Sequence, residues 1–238
     1  MCIRDSLFTT AALFAGFYAI VQAMNGNFES SAVAVFIAMV LDGLDGRVAR
    51  LTGTQSEFGA EYDSMSDMVS FGVAPALIVY EWALKDMDQW GWIIAFIYCA
   101  CAALRLARFN TNIEVVDKRF FQGLPSPAAA ALIAGLVWVM LNFQVQGSDI
   151  KWLASIVTLF AALTMVSNIP YYSGKEINLR RRVPFFTVLL LVLFFFVLIP
   201  SHPPLVLFFL FAAYAFSGYF IKLWRFGRSK KNNETPSS

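Results

Sequence analysis

The sequence predicts an all-α fold, a polytopic membrane helix bundle of about eight transmembrane helices. Three observations predict it. Of the 238 residues, 58% are hydrophobic and only 14% charged, where a soluble domain carries about a quarter charged residues. Phe is abundant, at 24 residues, as suits helix surfaces that face lipid. Apolar runs of roughly 20 residues, the length that crosses a bilayer core as a helix, recur along the chain. No soluble block of useful length interrupts them, so a single transmembrane domain is expected over residues 1–228.

The runs fall near residues 7–24, 29–50, 57–84, 91–109, 126–143, 150–169, 183–200 and 204–224. Short turn-forming clusters join several of them: Asn25-Gly26-Asn27, Gly147-Ser148-Asp149 and Pro200 to Pro204. Met1 to Ser6 are short and charged and run straight into the first span. No small-residue cleavage site follows the apolar run, so they do not read as a secretory signal. The natural start is expected to be missing or replaced. The polar tail, 229–238, is expected to be a disordered cytoplasmic segment.

Orientation follows from the basic residues. With the N-terminus in the cytoplasm and eight alternating spans, every Lys and Arg falls inside except Lys85 and Lys151. Cytoplasmic loops collect Lys and Arg in this way, and an odd number of spans would scramble the pattern. The chain is therefore expected to be integral to the cell (inner) membrane with both termini cytoplasmic. The basic run Lys222 to Lys231 fits the same signal; binding of anionic headgroups is the alternative. Membrane lipids are the expected partners, and no nucleic acid is.

Cysteine and histidine carry little. Cys2, Cys99 and Cys101 have neither C-x-x-C spacing nor a histidine cluster. Cys99 and Cys101 read as buried thiols of a span. His202, the one histidine, sits in a Ser-His-Pro-Pro turn and reads as a loop residue.

The acidic residues are different. Charge within an apolar span is costly and by default marks function. Asp42 and Asp45 are three apart and share one helix face; Asp63 and Asp67 are four apart and share a face of the next helix. The link, about Leu51 to Ser56, is short, so the helices are antiparallel neighbours and both pairs lie at the cytoplasmic end. Four carboxylates that close need a cation between them. Oxygen-only ligands suit Mg²⁺, Mn²⁺ or Ca²⁺ rather than zinc. Gly46 is one turn after Asp42, and Gly59 one turn before Asp63, where a missing side chain admits a ligand. Arg50 lies one turn beyond Gly46, and a planar guanidinium there suits a phosphate. Metal, glycine and arginine on one wall point to a substrate containing pyrophosphate. An ion or metal transporter, whose spans also carry acids, is the competing class.

The string from Asp42 through Asp45, Gly46, Ala49 and Arg50, then eight residues, then Gly59, Asp63 and Asp67 resembles the complete signature of the CDP-alcohol phosphatidyltransferases. The match continues through Asp67-Met-Val-Ser-Phe-Gly-Val-Ala-Pro-Ala76, Leu104-Arg-Leu-Ala-Arg-Phe-Asn110 and Gly123-Leu-Pro-Ser-Pro-Ala-Ala129. These segments resemble the membrane-embedded serine branch of that family over most of residues 7–182, the expected catalytic core. The residues expected before the first span are absent.

The resemblance implies a CDP-alcohol phosphotransferase fold and a reaction. The phosphatidyl group of CDP-diacylglycerol passes to the hydroxyl of L-serine, giving phosphatidylserine and CMP. A sister enzyme using glycerol 3-phosphate, inositol phosphate or choline is the near alternative. The resemblance also implies Mg²⁺ or Mn²⁺, one ion or two, held by Asp42, Asp45, Asp63 and Asp67. It makes Asp67 the general base, and Asp42, Gly46, Ala49 and Arg50 the CDP contacts. A homodimer is the family expectation. Serine also brings a carboxylate that needs a cationic partner. Arg105 and Arg108, three apart at one span end, with Asn110 after them, are the candidates for the acceptor site; positive-inside anchoring is the other reading of the two arginines. Lys118, Arg119 and Arg180 to Arg182 read as loop anchors, with steering of the anionic lipid as the alternative.

Overall fold

The computed structural model describes residues 3–52, 57–111, 120–172 and 202–233. Helices dominate. In chain order they are α1 (Ile3–Met24), α2 (Phe28–Thr52) and α3 (Glu57–Asp67). A π-helical stretch (Met68–Val73), α4 (Ala74–Val79), a second π stretch (Tyr80–Leu84) and a 3₁₀ turn (Lys85–Met87) continue α3. Then come α5 (Gln89–Thr111), α6 (Ser126–Asn142), a 3₁₀ turn (Gly147–Ile150), α7 (Lys151–Val166) and α8 (Pro203–Asn233). Two three-residue strands, β1 (Phe120–Gln122) and β2 (Pro170–Tyr172), pair antiparallel.

Among the described residues, five helical segments are long and apolar enough to cross a membrane: Leu7–Met24, Phe58–Met87, Gln89–Thr111, Gly147–Val166 and Pro203–Lys222. The helix α2 is long enough, but Glu29, Asp42, Asp45 and Arg47 interrupt its apolar run. The helix α6 is apolar throughout but has only 17 residues. The expected run at 183–200 lies outside the described residues.

Three features differ from expectation. The third span is not one α-helix, because two π stretches widen it before and after Pro75. Proline lacks the N–H that a helix interior needs, and π turns re-register the chain around such a break. The last helix runs on to Asn233, past the expected start of the tail at 229, since its terminal Lys and Arg residues are good helix formers that favour a C-terminal end. The β1–β2 ladder was not expected at all.

Small residues set the packing. The α1–α2 hairpin turns at Asn25-Gly26-Asn27, where Gly26 adopts φ +78°. Ala12, Ala15, Ala19 and Ala23 recur on the inner face of α1, and Ala32, Ala34 and Ala38 on that of α2; all are buried. Small side chains let helix backbones approach closely in a membrane. The outer face of α1 instead presents Leu7, Phe14, Phe17 and Met24. The centre of the bundle is α6, with Ala128 to Ala131, Ile133, Ala134 and Val137 buried; it packs against α2, α7 and α8.

Candidate active site

The end of the bundle where α2 finishes and α3 begins gathers the acids. One carboxylate oxygen each of Asp42, Asp63 and Asp67 lies within 4.8 Å of the others. Helical spacing explains the convergence, because Asp63 and Asp67 stack one turn apart on α3 and their carboxylates meet that of Asp42 on α2. Among the described residues, no Lys or Arg forms a salt bridge with any of the three. Like charges at that separation call for a cation.

Asp45 stands at the edge of this group. It is buried, and its Oδ2 accepts a hydrogen bond from the Thr9 hydroxyl of α1. The structure thus brings three of the four sequence-picked acids within ligand distance and holds the fourth against α1. Gly46 is exposed on the last turns of α2, and Ala49 and Arg50 follow it there.

The helix α1 covers the other side of α3. Ser66 Oγ donates to the Thr9 carbonyl at 3.1 Å, and Ser70 Oγ to the Ala12 carbonyl at 3.1 Å. The Thr10 and Tyr62 hydroxyls share a hydrogen bond of 2.9 Å. Thr9, Thr10 and Ser66 are site-framing residues that sequence reading missed. The hydroxyl-rich pair Thr9-Thr10 at the start of an apolar span was the available signal.

The arginines of α5 separate into two settings. Arg105 is half-buried, donates to Ser126 Oγ at the start of α6, and acts electrostatically on Asp67. Arg108 instead donates to the Val166 carbonyl at 3.2 Å and to Asn168 Oδ1, clasping the end of α7. Asn110 Nδ2 donates to Ser64 Oγ at 3.0 Å, which joins α5 to α3 between Asp63 and Asp67. Of the three acceptor-site candidates, Arg105 is the one whose charge reaches the acids.

Just beyond Asp67 the helix widens into its first π stretch. A π turn leaves backbone carbonyls without their usual i+4 partner, and the buried Tyr98 hydroxyl of α5 donates to the Phe71 carbonyl at 3.0 Å. Cys99 and Cys101 are free and half-buried, and His202 is exposed at the start of α8; none joins the acid group.

The donor set fits a hard divalent ion. It is all oxygen, the oxygens converge, and no histidine or cysteine is among them. Fold and site together define a membrane helix bundle with an acidic cluster at one end of its spans. The chain belongs to the CDP-alcohol phosphatidyltransferase family, whose profile matches residues 5–167. It is 39% identical over 173 residues to the CDP-diacylglycerol–serine O-phosphatidyltransferase of Helicobacter pylori, covering 72% of this chain and 73% of that one. A protein of the same name from Methanocaldococcus jannaschii is 41% identical over 137 residues, 58% of this chain and 61% of the relative. An archaetidylserine synthase from Methanothermobacter thermautotrophicus is 32% identical over 158 residues, 66% of this chain and 64% of the relative.

Proposed function

We propose that this protein transfers the phosphatidyl group from CDP-diacylglycerol to the hydroxyl of L-serine, releasing CMP and phosphatidylserine. The convergence of Asp42, Asp63 and Asp67 within 4.8 Å carries this reading on the structural side. Its serine specificity is supported by relatives whose names share serine while differing in the lipid.

Asp42, Asp63 and Asp67 hold the divalent ion, Mg²⁺ or Mn²⁺, with Asp45 as the fourth carboxylate. When bound, such an ion neutralises charge on the pyrophosphate and on the departing CMP. The chain's own groups do the rest. Asp67 accepts the proton of the serine hydroxyl. The serine oxygen forms a bond to the lipid-side phosphorus, the anhydride bond breaks, and CMP leaves with the bonding pair. Gly46 leaves space for the pyrophosphate; Asp42, Ala49 and Arg50 complete the CDP contacts. Arg105, held by Ser126, pairs with the serine carboxylate. Arg108 and Asn110 support that wall through Asn168 and Ser64.

The Lys and Arg distribution supports an active site and termini on the cytoplasmic side of the cell membrane. Family membership supports a homodimer, which crosslinking in intact membranes would test. The deciding experiment incubates purified protein with CDP-diacylglycerol, Mn²⁺ or Mg²⁺, and each of serine, glycerol 3-phosphate, inositol phosphate and choline. CMP release with serine alone is the expected result. No CMP with serine overturns the substrate assignment.

A further inference from the structure

Thr9 is 36 residues from Asp45 in sequence, yet its hydroxyl donates to Asp45 Oδ2. The carbonyl of the same residue accepts from Ser66 Oγ at 3.1 Å. All three residues are buried, Thr9 to 4%, Asp45 to 6% and Ser66 to 2% exposure. One residue of α1 therefore bonds to both acid-bearing helices. It meets α2 at Asp45, three positions after Asp42, and α3 at Ser66, next to Asp67. The neighbouring Thr10 bonds Tyr62, next to Asp63.

The register of α1 that makes these bonds is tightly set. A Cβ on Gly16 would stand 2.7 Å from the Ser70 Cα, so α1 lies against the π stretch with no room for a side chain between them. Sliding α1 so that a neighbouring residue took the place of Gly16 would drive that residue's Cβ into Ser70. Thr9 is thus delivered to Asp45 by packing two turns further along the same helix.

We propose that Thr9 is a positioning residue of the acidic centre, acting through Asp45 and through the α2–α3 spacing; this rests on the metal reading above. A buried carboxylate needs a donor, and a hydroxyl on one oxygen fixes the rotation of the carboxylate plane. Groups that orient a ligand from behind cost about 10–100-fold in metal affinity when lost. Valine keeps the shape of Thr9 and removes the donor, whereas serine keeps the donor.

The test is Mn²⁺ binding by the purified full-length chain in detergent, read from the loss of the free-Mn²⁺ electron paramagnetic resonance signal. Thr9→Val should weaken binding about 10-fold or more, and Thr9→Ser should stay within about threefold of wild type. In combination with Asp45→Asn, Thr9→Val should add little further loss, because both changes act through one carboxylate. Unchanged or tighter binding by Thr9→Val would overturn the proposal, as would fully multiplicative losses in the double variant. Should Thr9→Val not give a monodisperse protein, Ser66→Ala removes the other bond and should weaken Mn²⁺ binding several-fold; wild-type binding there overturns the two-helix role. Wild-type protein that binds no Mn²⁺ would instead overturn the metal reading, and the Thr9 proposal with it.

Discussion

Replacing Asp63 by Asn should stabilise the metal-free protein while destroying its function. The carboxylate oxygens of Asp42, Asp63 and Asp67 lie within 4.8 Å of one another. Coulomb's law at that separation gives about 1–3 kcal/mol of repulsion per ionised pair, between the dielectric of water and that of a protein surface. Asp42 and Asp67 share a hydrogen bond, which takes a proton on one of them, so neutralising Asp63 removes about one ionised pair. The low end, about 1 kcal/mol, corresponds to a rise of roughly 2–4 °C in melting midpoint for a chain of this size. Asp63 suits the purpose better than Asp67, because Arg105 already offsets part of the charge at Asp67. The assay is intrinsic tryptophan fluorescence during heating in detergent, with chelator and with Mn²⁺. Wild type should gain stability on adding Mn²⁺, and Asp63→Asn should start higher and gain little. A variant that melts lower than wild type in chelator would refute the reasoning, since it would make Asp63 a structural acid and not a strained ligand.

Asp67→Asn should lower kcat for CMP release by about 10²–10⁴-fold, the usual contribution of a general base; full activity would remove Asp67 from that role. Arg105→Ala should raise the KM for serine with CDP-lipid binding intact, and an unchanged KM would show that its charge serves only Asp67 and Ser126. Tyr98→Phe should cost about 1–3 kcal/mol of stability, because it orphans the buried Phe71 carbonyl; thermal melting measures this. Gly91→Ala should destabilise the protein by about 1–3 kcal/mol, since a Cβ there runs into the Leu84 carbonyl; expression yield and melting both report it.

Much of this architecture was legible because a bilayer constrains a sequence so strongly. Apolar run lengths located α1, α5, α7 and α8 to within a few residues, apart from the far end of α8. Three-and-four spacing with a short link is expected to bring Asp42, Asp45, Asp63 and Asp67 together; Asp42, Asp63 and Asp67 converge, while Asp45 is held against α1. What escaped is what helical periodicity does not encode. The bond between Thr9 and Asp45 joins residues 36 apart, and nothing in either helix alone announces it. The π stretches leave only Gly72 and Pro75 as traces, and neither residue fixes a helix type. The pairing of Phe120–Gln122 with Pro170–Tyr172 joins two three-residue strands across two intervening helices. Arg105 and Arg108 share a face by spacing, but neighbours on α6 and after α7 send one toward the acids and the other toward a helix end.

The alanine-rich helix at the centre has a consequence for biogenesis. At 17 residues and about 1.5 Å per residue, α6 is roughly 25 Å long, short of a bilayer core of about 30 Å. Its neighbours α2, α7 and α8 hide most of its surface from lipid, so a mismatch with the bilayer matters little once they are in place. Before α8 is made, that shield is missing. The α8 face of α6 then waits for a helix made about sixty residues later, and Gly135, whose Cβ would stand 3.2 Å from the Phe208 Cα, marks where the late partner seats. Synthesis that stops short of α8 should leave an unsealed membrane intermediate, the kind of species that quality-control proteases remove.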